Sequence, residues 1–372
     1  MAVKVELGAY VLPDDHSVYK FFPGEGYKFY DIIKQTSVAI IDIRGLDELE
    51  EEPQDWDDEE VLNLISLDRV ERAVANGAER PSRLVNSQGD KMTQTFLYGL
   101  LFKAEKGDLI LMPQKGYTTT VLIGQLLDDA GVIKTIKAKD DDETSLYYGR
   151  RVKWVGAIEK RLFNTDLVEL LQTPVAFFDV GASNYEQVYR LAFDNYVYDQ
   201  QFVATFRTGK NIFTPKDNFL TSVWLELLEV LEEAREAGEE LPIGSSIYDL
   251  VIGSDIDEGD RDDLSISIQS PGWFRIRSNV ASPLASLALF AMAVQGVPYS
   301  EAVGASTAAK VVRQADDTCM GDVDESVRAY IELLGKKRWE EACRLAKQAD
   351  AETKLKADAR VTGVKPKKKE AN

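Results

Sequence analysis

Lys106 to Phe163 reads KGDLILMPQKGYTTTVLIGQLLDDAGVIKTIKAKDDDETSLYYGRRVKWVGAIEKRLF. Four short runs in it are strand-like in content: Asp108–Met112 (DLILM), Thr119–Gln125 (TTVLIGQ), Val132–Ala138 (VIKTIKA) and Arg151–Trp154 (RVKW). Gly107, Pro113, Gly116, Gly131 and Gly149 punctuate them. Short strands at close spacing with turn residues between them predict a small β-barrel. Alternation along RVKW sets Arg151 and Lys153 on one face and Val152 and Trp154 on the other. Asp140–Glu143 reads as a charged, solvated turn.

Working outward, Val38–Ile43 (VAIIDI) is a β-branched run that predicts a buried strand. Glu59–Asn76 carries Val61, Leu62, Ile65, Leu67, Val70 and Val74 at helical spacing and stops at Gly77. Met92–Phe102 predicts a second helix. Downstream, Asn184–Tyr198 reads as helix or linker and supplies the domain boundary. Asn218–Ala237 is the clearest helix, with Asp217 placed to cap it and Gly238 to end it. Leu264–Ile268 alternates, and Pro271-Gly272 makes a turn into Trp273–Ile276. Pro283–Val294 is apolar nearly all round and predicts a buried helix. Ser300–Ala359 reads as charged helices, and Val361–Asn372, basic and poor in apolar residues, as disordered. The expected class is therefore α+β. A barrel domain with flanking helices covers 1–182, a mixed α/β domain 195–300, a helical region 301–359 and a disordered basic tail 360–372.

The chain has 372 residues and a formal net charge of −19, which argues against generic coating of nucleic acid. The charge is uneven. Asp47–Glu60 (DELEEEPQDWDDEE) holds ten acids and no base, and reads as a solvated loop or helix face. Met92–Phe163 carries eleven Lys and Arg against nine Asp and Glu, a net of +2, which leaves room for a local binding face. The apolar run Leu284–Val294 is short of the roughly 20 residues a bilayer needs, and the N-terminus has no secretion-signal pattern. Cys319 and Cys343 are too few and too far apart for a disulfide framework or a metal knuckle. The expectation is a cytoplasmic protein that neither crosses nor anchors to a membrane and needs no cofactor.

Four pieces of the opening stretch occur in a telling order: Gly107–Pro113 (GDLILMP), Val121–Gly124 (VLIG), Tyr147–Trp154 (YYGRRVKW) and Ile158–Phe163 (IEKRLF). This order resembles the PUA-like, EVE-like domain at the front of Mrr-type restriction system proteins. Ser37–Asp42 and Gly45–Leu49 are similar to that domain's first strand and turn, and Asp166–Leu171 to its following helix. The resemblance covers about half the chain. It implies a reader of nucleic acid, DNA in the first place, that holds a modified or flipped base among aromatics while cations steady the phosphates. It also implies a role as sensor or accessory subunit in a prokaryotic or phage-related defence system, acting through a partner effector protein. The residues it points to are Tyr117, Tyr147, Tyr148 and Trp154 for the base, and Lys115, Arg150, Arg151 and Lys153 for the backbone. Trp154 has an equally good reading as a core residue, and the basic group as an ordinary solvated edge.

No catalytic set stands out. A nuclease would need acids and a Lys about a strand pair. Asp255, Asp257, Asp260, Asp262 and Asp263 precede LSISIQS, but Gln269 and Ser270 stand where the Lys would be. A divergent magnesium nuclease built on this cluster is the alternative enzyme reading, and a protein–protein adaptor the alternative binding one. His16 is the only histidine and falls in a stretch that reads as irregular, which argues against a His-based relay. Thr208-Gly209-Lys210-Asn211 lacks the glycines and the hydroxyl of a phosphate loop.

Overall fold

The computed structural model describes all residues except 1, 50, 117–118, 141–142, 174, 211, 254–262, 268–271, 312–317 and 364–372. It is a mixed α+β fold with two sheets, divided into two compact units: Asp15–Ala192, and Met1–Asp14 together with Phe193–Asn372. The first strand, β1 (Lys4–Val11), belongs to the second unit. The Asp15–Ala192 unit contains β2 (Val18–Phe21), β3 (Val38–Ile40), β4 (Leu109–Pro113), β5 (Thr120–Leu126), β6 (Lys134–Asp140), β7 (Glu143–Glu159) and β8 (Phe177–Asp179). Its helices are α1 (Tyr30–Thr36), α2 (Asp58–Ala75), α3 (Gln88–Tyr98), α4 (Thr165–Gln172) and α5 (Tyr185–Ala192). The remainder holds β9 (Asn195–Tyr198), β10 (Gln201–Thr208), β11 (Asp263–Ser267), β12 (Gly272–Ser278), β13 (Ser306–Val311), β14 (Leu355–Ala357) and β15 (Ala359–Thr362). With them come α6 (Pro215–Ala237), α7 (Ile247–Gly253), α8 (Ser282–Gln295), α9 (Tyr299–Ala302) and α10 (Thr318–Thr353), the last kinked at Gly335.

The seven strands of Asp15–Ala192 run β3-β7-β5-β4-β2-β8, with β6 also on β7. Among the described residues, no pairing joins β3 to β8. The predicted run Arg151–Trp154 is the middle of a 17-residue strand. β5 pairs with its C-terminal half, from Val152 to Glu159, and β6 with its N-terminal half, from Glu143 to Gly149. β3 meets it at Gly149–Arg151. There a side chain is excluded, because a Cβ on Gly149 would lie 2.0 Å from the Ala39 carbonyl oxygen. β4 is buried along its whole length, as its unbroken apolar sequence requires.

In the other unit the sheet order is β11-β12-β10-β9-β1-β13, with β14 on β10 and β15 on β1. β1 alternates buried and outward residues and pairs in parallel with both β13 and β9, so it is an interior strand. A domain cut at 1–182 therefore misassigns the first fourteen residues: their strand completes a sheet whose other members come from beyond Phe193. The tail expectation is also corrected at its start, since Val361 and Thr362 pair with Val5 and Lys4. Residues 301–359 are not purely helical, because β13 and β14 lie among them. α8 is the predicted buried helix, and Phe290 on it packs edge-on to Phe206 and Trp224. α6 begins earlier than its apolar stripe, at a capping box in which Thr214 is the cap and Asp217 its reciprocal partner, with Pro215 in the first turn.

A fragment spanning Asp15–Ala192 is expected to melt cooperatively by circular dichroism. One beginning at Phe193 should not, because the inner edges of β9, β13 and β15 lose their common partner. Adding a peptide of residues 1–14 should restore its transition. A cooperative melt of the second fragment alone would contradict this topology.

Candidate nucleic-acid interface

β7 sorts its side chains sharply. Arg150 is fully buried; one terminal nitrogen donates to the carbonyls of Leu100, Leu101 and Ala104 at 3.1, 3.3 and 2.9 Å, and the other to the Asp128 carbonyl. The first three acceptors lie in or just after a π-helical turn, Gly99–Lys103, so Arg150 bonds carbonyls at a helix end, sharing that of Leu101 with the Gly131 N–H. Burial lowers its pKa, but a guanidinium keeps its proton in proteins. Arg150 is thus removed from the phosphate-contacting set that the sequence suggests. Tyr147 is removed from the aromatic set for the same reason: it is fully buried, 4.8 Å from the ring of Phe29.

The neighbouring cations point the other way. Arg151 and Lys153 are exposed on one face of β7, and Val152 is buried on the other, as alternation requires. The β6 register adds Lys134, opposite Gly149, to the Arg151–Lys153 face, and Lys134 is exposed too. Arg151 makes a fork with Asp128, its Nε donating at 2.8 Å. That hydrogen bond is the main reason the Asp128 carboxyl sits below its usual pKa, and Lys134 contributes from farther off.

Trp154 is half-buried on the opposite face, with its indole N–H donating to the Lys34 carbonyl at 3.3 Å. The register between β5 and β7 shifts here, from Ile123 opposite Gly156 to Gly124 opposite Trp154. Such a bulge re-aims the side chain beside it. Tyr148 is half-buried against Trp56, edge to face at 5.2 Å. Its pKa is raised by burial and then by Asp47 and Glu52. The acidic run therefore packs its Trp56 beside β7, while Asp57 caps α2 and Asp58, Glu59 and Glu60 fill that helix's first turn. Negative charge around Tyr148 disfavours phosphate there. Lys115 is exposed in the β4–β5 loop, and Tyr117 lies outside the described residues. So the structure brings Lys134, Arg151 and Lys153 together and sets Trp154 on the strand's other face. It withdraws Tyr147 and Arg150 into the interior.

Three residues that composition alone does not flag are buried and bonded. His16 lies in the irregular connection between β1 and β2 but is buried; its Nε2–H donates to the Gly107 carbonyl at 3.0 Å and Nδ1 accepts from the Tyr189 hydroxyl at 2.8 Å. Lys160 staples the β4–β5 loop through the Gln114 and Gly116 carbonyls, at 2.6 and 2.5 Å. Lys20 is fully buried, donates to the Thr173 carbonyl at 2.7 Å and to that of Val175, and sits 4.7 Å from the centre of the Phe22 ring. Burial brings its pKa down to about 7. The signal for Lys20 and Lys160 was their place inside apolar strand or turn sequence, VYKF and IEKRLF.

Elsewhere, Lys210 is bound to Asp217 at 2.6 Å and so serves the α6 cap rather than a phosphate. Asp255, Asp257, Asp260 and Asp262 lie outside the described residues, and Asp263 opens β11. Among the described residues, no three His, Cys, Asp or Glu side chains come together to hold a metal ion, and no helix is long and apolar enough to cross a membrane. The chain matches no protein family, no curated protein and no solved structure.

Replacing Arg150 with Met keeps the volume but removes the donor shared by four carbonyls, of which that of Leu101 keeps the Gly131 N–H, so the full chain should lose on the order of 3 kcal/mol in denaturant melts. A loss under about 0.5 kcal/mol, the size of an ordinary surface change, would contradict the structural role. For Lys20 the sign follows from its depressed pKa. Between about 7 and 10.5 the unfolded chain holds the extra proton, so stability should rise with pH across that window. Lys20→Met should flatten the rise, and an unchanged profile would show that another group titrates.

Proposed function

We propose that the Asp15–Ala192 unit is a PUA-like reader of nucleic acid, DNA in the first place, within a prokaryotic or phage-related defence system. It acts in the cytoplasm as a sensor or accessory subunit, and the unit containing Phe193–Asn372 engages a partner effector. The observation that carries this reading is the outward set Lys134, Arg151 and Lys153 on one face of the β6–β7 ladder, where Arg151 must exchange Asp128 for a phosphate to join the two lysines, in a chain whose net charge is −19. A local cationic strip on an acidic protein favours a defined contact over general coating, since phosphates are held only where the strip lies. Trp154, re-aimed by the bulge and half-open to solvent, is the aromatic left for a base.

Fluorescence anisotropy with plain and base-modified duplexes tests this directly. Three phosphate contacts give a slope of log K against log salt near −3, at about 0.9 per contact. Arg151→Ala with Lys153→Ala should weaken binding to every duplex alike and flatten the slope by about 2. Trp154→Ala should reduce the preference for the modified duplex by about tenfold, the worth of one stacked base. Equal binding by all variants and the unmutated chain would overturn the reading.

A further inference from the structure

A cavity of about 640 Å³ lies between the second half of α10 and the turn from α8 into α9. Its walls include Lys336, Glu340, Arg344 and Lys347 from α10, spaced so that they follow one face of the helix. Among the described residues none of the three cations makes an ion pair or a side-chain hydrogen bond, and all three are exposed. In a chain with nineteen more acids than bases, three cations against the single acid Glu340 on one hollow form a local exception.

The hollow is pre-built. α8 ends in a Schellman-type turn, with Gly296 N–H donating to the Ala293 carbonyl and Val297 N–H to that of Met292, both at 3.0 Å. The floor is Trp339, buried, its indole N–H donating to the Val297 carbonyl at 2.8 Å. Lys347 is laid over this turn so closely that a Cβ on Gly296 would come within 2.5 Å of its Nζ. Tyr299, half-buried, supplies an aromatic wall.

The other cavities lack this combination. A larger one, about 740 Å³, shares Lys336 and adds Lys337, Arg235 and Arg338, but Glu239, Glu240 and Glu332 line it too, and Arg235 is engaged by Glu232 and Arg338 by Ser245 and the Pro242 carbonyl. One of about 370 Å³ is lined by Asp47, Glu48, Asp68 and Glu71, and its Arg44 is bound to Asp68.

We propose that the α8–α10 hollow binds a nucleoside di- or triphosphate. Lys336, Arg344 and Lys347 would take the phosphates, Tyr299 would form the apolar surface for the base or sugar with the buried Trp339 as its support, and the volume suits a ligand of that size. The site is separate from the β6–β7 strip, so it stands or falls independently of duplex reading.

Isothermal titration calorimetry of the full chain with ATP, ADP, pyrophosphate and inorganic phosphate, at matched ionic strength, tests the assignment. ATP and ADP should bind, and inorganic phosphate should bind at least about tenfold more weakly because it offers one charge cluster and no base. Arg344→Ala with Lys347→Ala should weaken ATP binding by about ten- to a hundredfold. Glu340→Gln removes the acid on the wall and should tighten it, a gain that misfolding cannot produce. Tyr299→Ala should weaken ATP more than pyrophosphate. Arg151→Ala with Lys153→Ala should leave ATP binding unchanged. No heat with ATP at about 1 mM, or equal affinity for pyrophosphate and ATP, or ATP binding indifferent to the α10 charge variants, would overturn the proposal.

Discussion

The Arg150 guanidinium reaches from the middle of β7 to carbonyls at the end of the α3 region and after β5, and the rest of the Asp15–Ala192 unit is arranged around that bond set. β7 is one strand serving two partners in tandem, with β5 ending opposite Val152 and β6 beginning opposite Gly149. The junction between them leaves the Asp128 stretch to turn outside the ladder. Arg150 ties down that stretch through its backbone from within, and Arg151 ties it through the Asp128 carboxylate from outside. A buried cation is costly unless its donors are used, and the carbonyls around Arg150 use both of its terminal nitrogens, its Nε alone having no hydrogen-bond partner among the described residues.

That constraint also decides what β7 can do at its surface. Two adjacent arginines have opposite fates because strand neighbours face opposite ways, one becoming internal structure and the next an outward charge. Lys153 joins the outward set by alternation along β7, and Lys134 by register across the ladder. The acidic segment packs Trp56 against Tyr148 and so sets negative charge near the face of β7 opposite Arg151 and Lys153. Attraction for a polyanion is thereby confined to one face of the ladder on a chain of strong negative charge.

Much of this was legible in the sequence. The mixed α+β class, α2, α6, α8 and β4 follow from periodicity, caps and apolar runs, and the face assignment of Arg151 and Lys153 follows from alternation alone. The place of β1 was not legible. Its alternation marks a strand, but its partners lie some 190 and 300 residues on, and nothing local names them. The burial of Arg150 escaped for a related reason: a basic residue in an exposed-looking run is buried only because a distant turn presents carbonyls to it. Asp217 looked like a helix cap because the apolar stripe begins beside it, whereas Thr214 and Pro215 set the true start one turn earlier. The grouping of Lys336, Arg344 and Lys347 was hidden inside a stretch that reads only as charged helices.

The central claim is that lysines on one short strip of β6 and β7 meet nucleic acid while the chain's buried lysines serve the fold. Lysine acetylation of the native full chain, read residue by residue by mass spectrometry with and without duplex DNA, tests it most directly. Lys134 and Lys153 should be reactive in the free protein and shielded by the duplex, with Lys20 and Lys160 unreactive in both states. Unchanged reactivity at Lys134 and Lys153 under saturating DNA, or shielding confined to lysines beyond Phe193, would contradict the account.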